Sequence, residues 1–216
     1  LRGTDRRLGI SEWGGVVRRR QPLDHFERVR SHSSASPTWT HEGDKNRTMK
    51  VLKYVAPLKI EIAEMPQPDI TDGEVLVQTH ACGICATDVK TYRRGHPLIK
   101  PGSVLGHEIS GIIVESRAAK WRVGERVVVA PYVPCGECRY CRREQFTLCV
   151  NLWDDAVEPG GFSEYVRVPS RLVQKGMFCL PAHVDFLTAT LVEPLACCYH
   201  GFEAMRLQAG DSLLIV

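Results

Sequence analysis

The stretch CGECRYCRREQFTLC, residues 135–149, sets four cysteines into a polar, arginine-rich segment. They are Cys135, Cys138, Cys141 and Cys149, in the spacing C-x2-C-x2-C-x7-C. Close spacing of this kind lets one loop wrap its thiolates around a single ion, and Zn2+ at structural sites prefers four soft ligands in a closed tetrahedron. The stretch therefore predicts a structural zinc lobe, which braces a loop and leaves no position open for chemistry.

Two other uses of the same cysteines remain open. A [4Fe–4S] cluster also uses C-x2-C-x2-C, but its usual fourth cysteine follows after three residues and precedes a proline. Here Cys149 follows after seven residues and precedes Val150. Two disulfides are the other alternative, which the odd total of nine cysteines and the expected reducing compartment disfavour.

The composition is that of a globular chain. Of the 216 residues, 44% are hydrophobic, which is enough to bury a substantial core. No run of about 18 apolar residues and no charged-then-apolar leader is found, so we expect no membrane span, no secretory signal and a cytoplasmic location. The first 50 residues hold 11 Lys/Arg against 6 Asp/Glu. Because the run Arg18 to Arg20 lacks interleaved aromatic residues, we expect no nucleic-acid binding.

The character of the sequence changes near Met49. Residues 1–48 are rich in Gly, Ser, Arg and Pro without sustained periodicity, which is typical of disorder or of an extension foreign to the fold. Beyond them, short β-branched runs alternate with turn residues, and helical patterns are scarce before residue 184. The runs are KVLKYV, EVLVQTH, ISGIIVES, ERVVVAPYV and FSEYVRVP. We expect a mainly β domain, with an antiparallel, barrel-like sheet over residues 49–190.

The end of the sequence has a different pattern. The segment DFLTATLVEPLACCYHGFEAMRL carries apolar residues at helical spacing, and Gly210 is a typical terminator for such a helix. The run SLLIV, residues 212–216, is continuously apolar, as in a buried parallel strand. Residues 191–216 therefore predict a helix followed by a buried strand.

Two shorter motifs offer a second set of metal ligands: ACGICATDVK, residues 81–90, and VLGHEISG, residues 104–111. Taken alone, Cys82 and Cys85 would be small buried apolar residues, and His107 would be a hydrogen-bonded core histidine. Both motifs, however, flank strands of one predicted sheet. A His-Glu pair near a cysteine fits an open metal site with three protein ligands and one exchangeable position.

Six segments in order, CGICATD, GHEISG, VGERVVV, CGECRYCRREQFTLC, GGFSEYV and VEPLACCYHG, resemble the zinc-dependent medium-chain alcohol and polyol dehydrogenases. The sorbitol and threonine dehydrogenase branch is the most similar, and the resemblance spans residues 49–216. It implies a GroES-like catalytic domain over residues 49–190 and the first helix and strand of a Rossmann domain over residues 191–216. Because no glycine-rich turn follows SLLIV, we expect this portion to be inactive alone.

The resemblance also implies the ligands of a catalytic zinc. These are Cys85, His107 and Glu193, with Glu108 able to coordinate directly or to alternate with water. Many alcohol dehydrogenases have a cysteine at the position of Glu193, and the glutamate there indicates the polyol branch. Cys197 lies four residues beyond Glu193 on the same helical face, where it could substitute as a ligand, but core packing is its expected role.

The implied chemistry is the oxidation of a secondary alcohol. A catalytic zinc binds the substrate hydroxyl and lets the carbinol carbon release a hydride to NAD or NADP, while a second zinc is structural. Thr87 would relay the proton, although a hydroxyl bonded to backbone is its structural alternative. Lys90 stands where the family often places the final histidine. The predicted substrate is a polyol or amino alcohol and the full-length protein a homo-oligomer; the alternative is a zinc-stabilised, non-catalytic scaffold.

Overall fold

The computed structural model describes residues 47–215 of the chain. The strands are β1 (Thr48–Ala56), β2 (Lys59–Pro66), β3 (Val75–Gly83), β4 (Glu108–Ser116), β5 (Arg126–Val129), β6 (Tyr165–Val168) and β7 (Met177–Cys179). The α-helices are α1 (Ala86–Arg94), α2 (Ser170–Lys175), α3 (Phe186–Ala189) and α4 (Val192–Met205). The prediction of disorder or a foreign extension over residues 1–48 lies outside the described residues, except that Thr48 already begins β1.

Two antiparallel sheets form the described part of the chain. The larger has the strand order β6-β3-β4-β5-β7, and the smaller is the β1-β2 hairpin. Single bridges connect β1 to neighbouring loops, at Val51 with Ser163 and at Lys53 with Val104. The mainly β, antiparallel fold is confirmed, but the larger sheet does not close into a barrel within the described residues.

The core lies on one face of the larger sheet. Because side chains alternate along a strand, β-branched residues at every second position point to the same side. The fully or almost fully buried members are Val75 and Val77, Ile109 and Ile113, Val127 and Val129, and Val166 and Val168. Trp121 packs with them and donates from Nε1 to the carbonyl oxygen of Val173 at 3.1 Å. This core fixes β4, which begins at Glu108, and β3, which leads into Cys85.

Two short helices before residue 184 were not expected. The first, α1, has no apolar periodicity, and it is fixed at its start by a capping box between Cys85 and Asp88. The expected helix after residue 184 is divided into α3 and α4, with a break at Thr190 and Leu191. Pro194 accounts for the break, because its missing N–H cannot bond to the carbonyl of Thr190 one turn earlier.

The expected strand at SLLIV is wrong for the residues that the structure describes. Residues 212–215 form no strand, and Leu214 and Ile215 are 83% and 84% exposed. A parallel strand needs a hydrogen-bonding neighbour, and the described residues supply none at this point. Among residues 47–215, no helix has both the length and the apolar character required to traverse a bilayer.

Candidate functional site

The four cysteines of residues 135–149 meet in one lobe. Their sulfur atoms all lie within 4.8 Å of one another. The Sγ of Cys141 is 3.5 Å from that of Cys138 and 3.9 Å from that of Cys135. These separations are far beyond the roughly 2.05 Å of a disulfide bond, and every cysteine of the chain is a free thiol. Four sulfur donors at this spacing fit a tetrahedral metal site.

Backbone amides help to set the charge of the lobe. The N–H of Cys135 donates to the Sγ of Cys149 at 3.3 Å, and that of Cys138 donates to the Sγ of Cys135 at 3.4 Å. A hydrogen bond from the Cys141 backbone lowers the pKa of Cys138 to about 6, whereas burial raises the pKa of Cys141 to about 12. The lobe therefore already favours a thiolate at Cys138 before any cation contributes its charge.

A second cluster consists of Cys85, His107 and Glu108, whose ligand atoms lie within 4.8 Å of one another. Cys85 is the N-cap of α1, and its Sγ accepts from the backbone N–H of Thr87 at 3.5 Å. His107 lies immediately before β4, and Glu108 is the first residue of β4. One sulfur, one imidazole and one carboxylate form a donor set that suits an open zinc site.

Asp88 holds the parts of this cluster together. It is buried, and its Oδ2 accepts from the backbone N–H of Cys85 at 2.9 Å. Its Oδ1 accepts from the backbone N–H of Gly106 at 3.3 Å and lies 3.8 Å from the Nδ1 of His107. One carboxylate therefore joins the helix that carries Cys85 to the loop that carries His107.

The Glu108 side chain lies directly against Gly83, in the space that a Cβ at that position would fill. A Cβ added to Gly83 would overlap the Oε2 of Glu108, and it would lie 3.0 Å from both its Cβ and its Cδ. Burial raises the pKa of the Glu108 carboxyl, and the charges of Glu193 and Asp88 add to this rise, while His107 opposes it. The buried carboxyl is thus held among other acidic groups, an arrangement that a cation would stabilise.

Glu193, the carboxylate that sequence analysis placed on the metal, lies outside the group within 4.8 Å. It is in the first turn of α4, where its Oε1 is 3.5 Å from the Sγ of the exposed Cys197. Its charge nevertheless contributes to the raised pKa values of Glu108 and of Tyr132. In this structure Glu108, and not Glu193, completes the set of three.

The two residues expected to move a proton lie on α1. Thr87 is half-buried in the first turn, two residues after Cys85, and Lys90 is exposed one turn along the helix. Lys90 is thus the solvent-exposed member of the pair, although the next residue of α1, Thr91, is buried.

Two residues near the cluster were not singled out by sequence analysis. Asp88 could have been found from its position, because an acidic residue three after an N-cap is the signature of a capping box. Tyr132 has no such signal, since it follows the run VVVA and was assigned to a strand. Burial raises the pKa of Tyr132, and the charges of Glu193, Cys197 and Cys85 raise it further. Its ring also packs on Trp153, with centroids 4.5 Å apart.

Comparison with known proteins finds relatives of one kind. Residues 71–178 match the family model of the alcohol dehydrogenase GroES-like domain. An uncharacterized zinc-type alcohol dehydrogenase-like protein of Haemophilus influenzae is 34% identical over 172 residues, which are 78% of this chain and 49% of that protein. Sorbitol dehydrogenase of Bacillus subtilis (strain 168) is 33% identical over 184 residues, which are 82% of this chain and 50% of that protein.

A comparison with solved structures also finds an alcohol dehydrogenase similar to this chain. A short chain alcohol dehydrogenase from Escherichia coli CFT073, in complex with NADH, has 32% sequence identity and a TM-score of 0.64, over 76% of this chain and 48% of that one. The chain thus spans about half the length of the relatives that it matches.

Proposed function

Since this chain belongs to the zinc-type alcohol dehydrogenases, whose GroES-like domain it carries, we propose that it is the catalytic portion of an NAD(P)-dependent oxidoreductase for a polyol or amino alcohol. The observation that carries the proposal is the meeting of Cys85, His107 and Glu108 within 4.8 Å. A sorbitol dehydrogenase among the relatives supports the polyol, and the NADH complex of a structural neighbour supports the nicotinamide.

Two zinc ions are proposed. Cys135, Cys138, Cys141 and Cys149 hold the structural ion, while Cys85, His107 and a carboxylate from Glu108 or Glu193 hold the catalytic one. The catalytic zinc, when bound, polarises the substrate hydroxyl as a Lewis acid so that the alcohol loses its proton readily. The mixed donor set around it, with one sulfur rather than four, supports a site that keeps a position for substrate.

The protein groups around the site have separate tasks. Asp88 lies near the Nδ1 of His107 at 3.8 Å and leaves Nε2 as the nitrogen for the metal. The Thr87 hydroxyl accepts the substrate proton while it donates its own proton to water. Lys90, exposed on the same helix, is a donor only when protonated, so it does not accept the proton in that state. In this proposal the packed rings of Tyr132 and Trp153 line one side of the substrate site.

The proposed domain division is residues 49–190 for the catalytic domain and residues 191–216 for the start of the nucleotide-binding domain. Large apolar side chains of α4 are exposed, such as Leu195 at 66% and Phe202 at 54%. This exposure supports the proposal that α4 packs against another part of the full-length enzyme. In the full-length protein we propose that the nicotinamide cofactor and a second copy of the chain complete the enzyme.

Metal analysis tests the proposal. The purified chain should hold two zinc ions, and Cys85→Ala should lose one of them while keeping the lobe's ion. In the full-length enzyme the same substitution should abolish alcohol-dependent reduction of NAD(P). A non-catalytic scaffold would hold one zinc only, so a wild-type content of one ion, or full activity of Cys85→Ala, would refute the dehydrogenase.

A further inference from the structure

Arg126, the first residue of β5, anchors the segment that leads from β7 into α3. Its Nη1 donates to the carbonyl oxygens of Pro181 at 3.3 Å and Ala182 at 3.1 Å, and its Nη2 donates to that of Val184 at 2.7 Å. Only the planar guanidinium presents several donors in a fixed fork. One side chain therefore binds three carbonyls within residues 181–184 of an otherwise irregular segment.

The same segment is held again at Phe186, the first residue of α3. The Arg126 guanidinium lies 4.5 Å from the centre of the Phe186 ring, and the His80 ring stacks on Phe186 with centroids 4.5 Å apart. The buried hydroxyl of Ser110 donates to the carbonyl oxygen of Phe186 at 2.7 Å. Ser110 is two residues after Glu108 on β4, so this anchor shares a strand with the metal cluster.

The chain stays fixed up to the helix that carries Glu193. After Phe186, Ala189 is fully buried and Thr190 is 4% exposed. Glu193 follows three residues later, in the first turn of α4. The attachment of segment 181–190 to the sheet therefore contributes to the position of the Glu193 carboxylate.

We propose that Arg126 is a positioning residue for the metal centre, because its hold on segment 181–186 determines where α4 places the Glu193 carboxylate relative to Cys85 and His107. This inference rests on the proposed function. The chain connection supports it, because Glu193 lies only three residues after Thr190, the buried residue that ends the anchored segment. A small rotation of α4 about Thr190 would move the Glu193 carboxylate relative to Cys85 and His107.

Cobalt binding tests this inference on the full chain. Co2+ replaces zinc in sulfur and nitrogen sites and absorbs visible light, and a site with one thiolate absorbs less strongly than a site with four. Arg126→Ala should weaken Co2+ binding at the one-thiolate site about tenfold, the lower end of the effect of residues that orient metal ligands. Binding at the four-cysteine lobe should not change.

A double-mutant cycle with Glu193→Gln separates positioning from general loosening. If Arg126 acts through Glu193, Arg126→Ala should have no further effect on Co2+ affinity once Glu193 has lost its charge. Equal effects in both backgrounds, or no effect in either, would overturn the inference. If Arg126→Ala does not fold, Arg126→Lys and Ser110→Ala each remove part of the anchor, and the same cycle decides.

Arg171→Ala is the matched control. Arg171 also uses its guanidinium to hold a loop, through the carbonyl oxygen of Asn151 at 2.8 Å and Asp155 at 2.8 Å, but this loop follows the cysteine lobe. Arg171→Ala should leave Co2+ affinity at the one-thiolate site unchanged. Amide hydrogen exchange over residues 181–193 should become faster in Arg126→Ala and stay at the wild-type rate in Arg171→Ala. A wild-type chain that binds no Co2+ at this site refutes the proposed function, and this inference with it. Two-site binding that Arg126→Ala leaves intact refutes the inference alone.

Discussion

The glycine beneath Glu108 allows a test of the cluster that adds a single carbon atom. Gly83 has no strained backbone angle, so Gly83→Ala would act through its Cβ alone, which would overlap the Oε2 of Glu108. To relieve the overlap the carboxylate must leave its place beside Cys85 and His107. Overpacking of a tight site costs about 1–3 kcal/mol of folding stability. Displacing the carboxylate should also lower metal affinity by at least about tenfold, as loss of ligand orientation does.

Two measurements follow this change: urea unfolding of the metal-free chain and Co2+ titration of the one-thiolate site. Gly201→Ala is the control, because its Cβ would meet nothing within 4 Å and it lies within α4. Alanine there should stabilise the helix by up to about 1 kcal/mol and leave metal binding unchanged. Glu108→Ala in the Gly83→Ala background should recover part of the lost stability. A Gly83→Ala chain with unaltered cobalt affinity, or strictly additive stabilities, would refute the steric argument.

Three further substitutions test the fold around the site. Ile109 is fully buried, so Ile109→Ala should cost about 2–5 kcal/mol in urea unfolding; a smaller loss would mean that the core closes the cavity. Trp121→Phe should cost about 1–3 kcal/mol, because the carbonyl of Val173 loses its buried donor, and an unchanged midpoint would contradict this. Hydrogen bonds from Thr188 hold the pKa of the Asp185 carboxyl below its ordinary value of 3.8. Ionised Asp185 therefore stabilises the fold above that pH, and the contribution is lost as the pH falls through the lower folded pKa. Asp185→Asn should flatten the acid end of the stability curve, whereas an acid end that stays as steep would contradict the assignment.

Local sequence was sufficient to predict five of the seven described strands and the cysteine lobe, whereas β2 and β7 were missed. Alternating β-branched residues predicted β1, β3, β4 and β6, because a half-buried strand has a period of two. The lobe was predictable because all four ligands lie within 15 residues of one loop. Both signals depend on neighbours in the chain, and so the sequence carries them directly.

The cluster of Cys85, His107 and Glu108 could be predicted only in part. Which carboxylate completes it depends on the attachment of α4 through Arg126 and on the space above Gly83, and both are long-range contacts. The helix α1 was missed for a related reason. Its stability comes from a cap and from a buried aspartate, and these leave no apolar period in the sequence.

Asp88 has a consequence for how the protein acquires its metal. Its two oxygens bond the amides of Cys85 and Gly106, which are 21 residues apart in sequence. The thiol and the imidazole are therefore brought to their places by folding alone, and an ion that arrives later finds a site already shaped. The backbone around Cys85 and His107 should therefore change little when the ion of this cluster alone is removed, because Asp88 holds it without the ion.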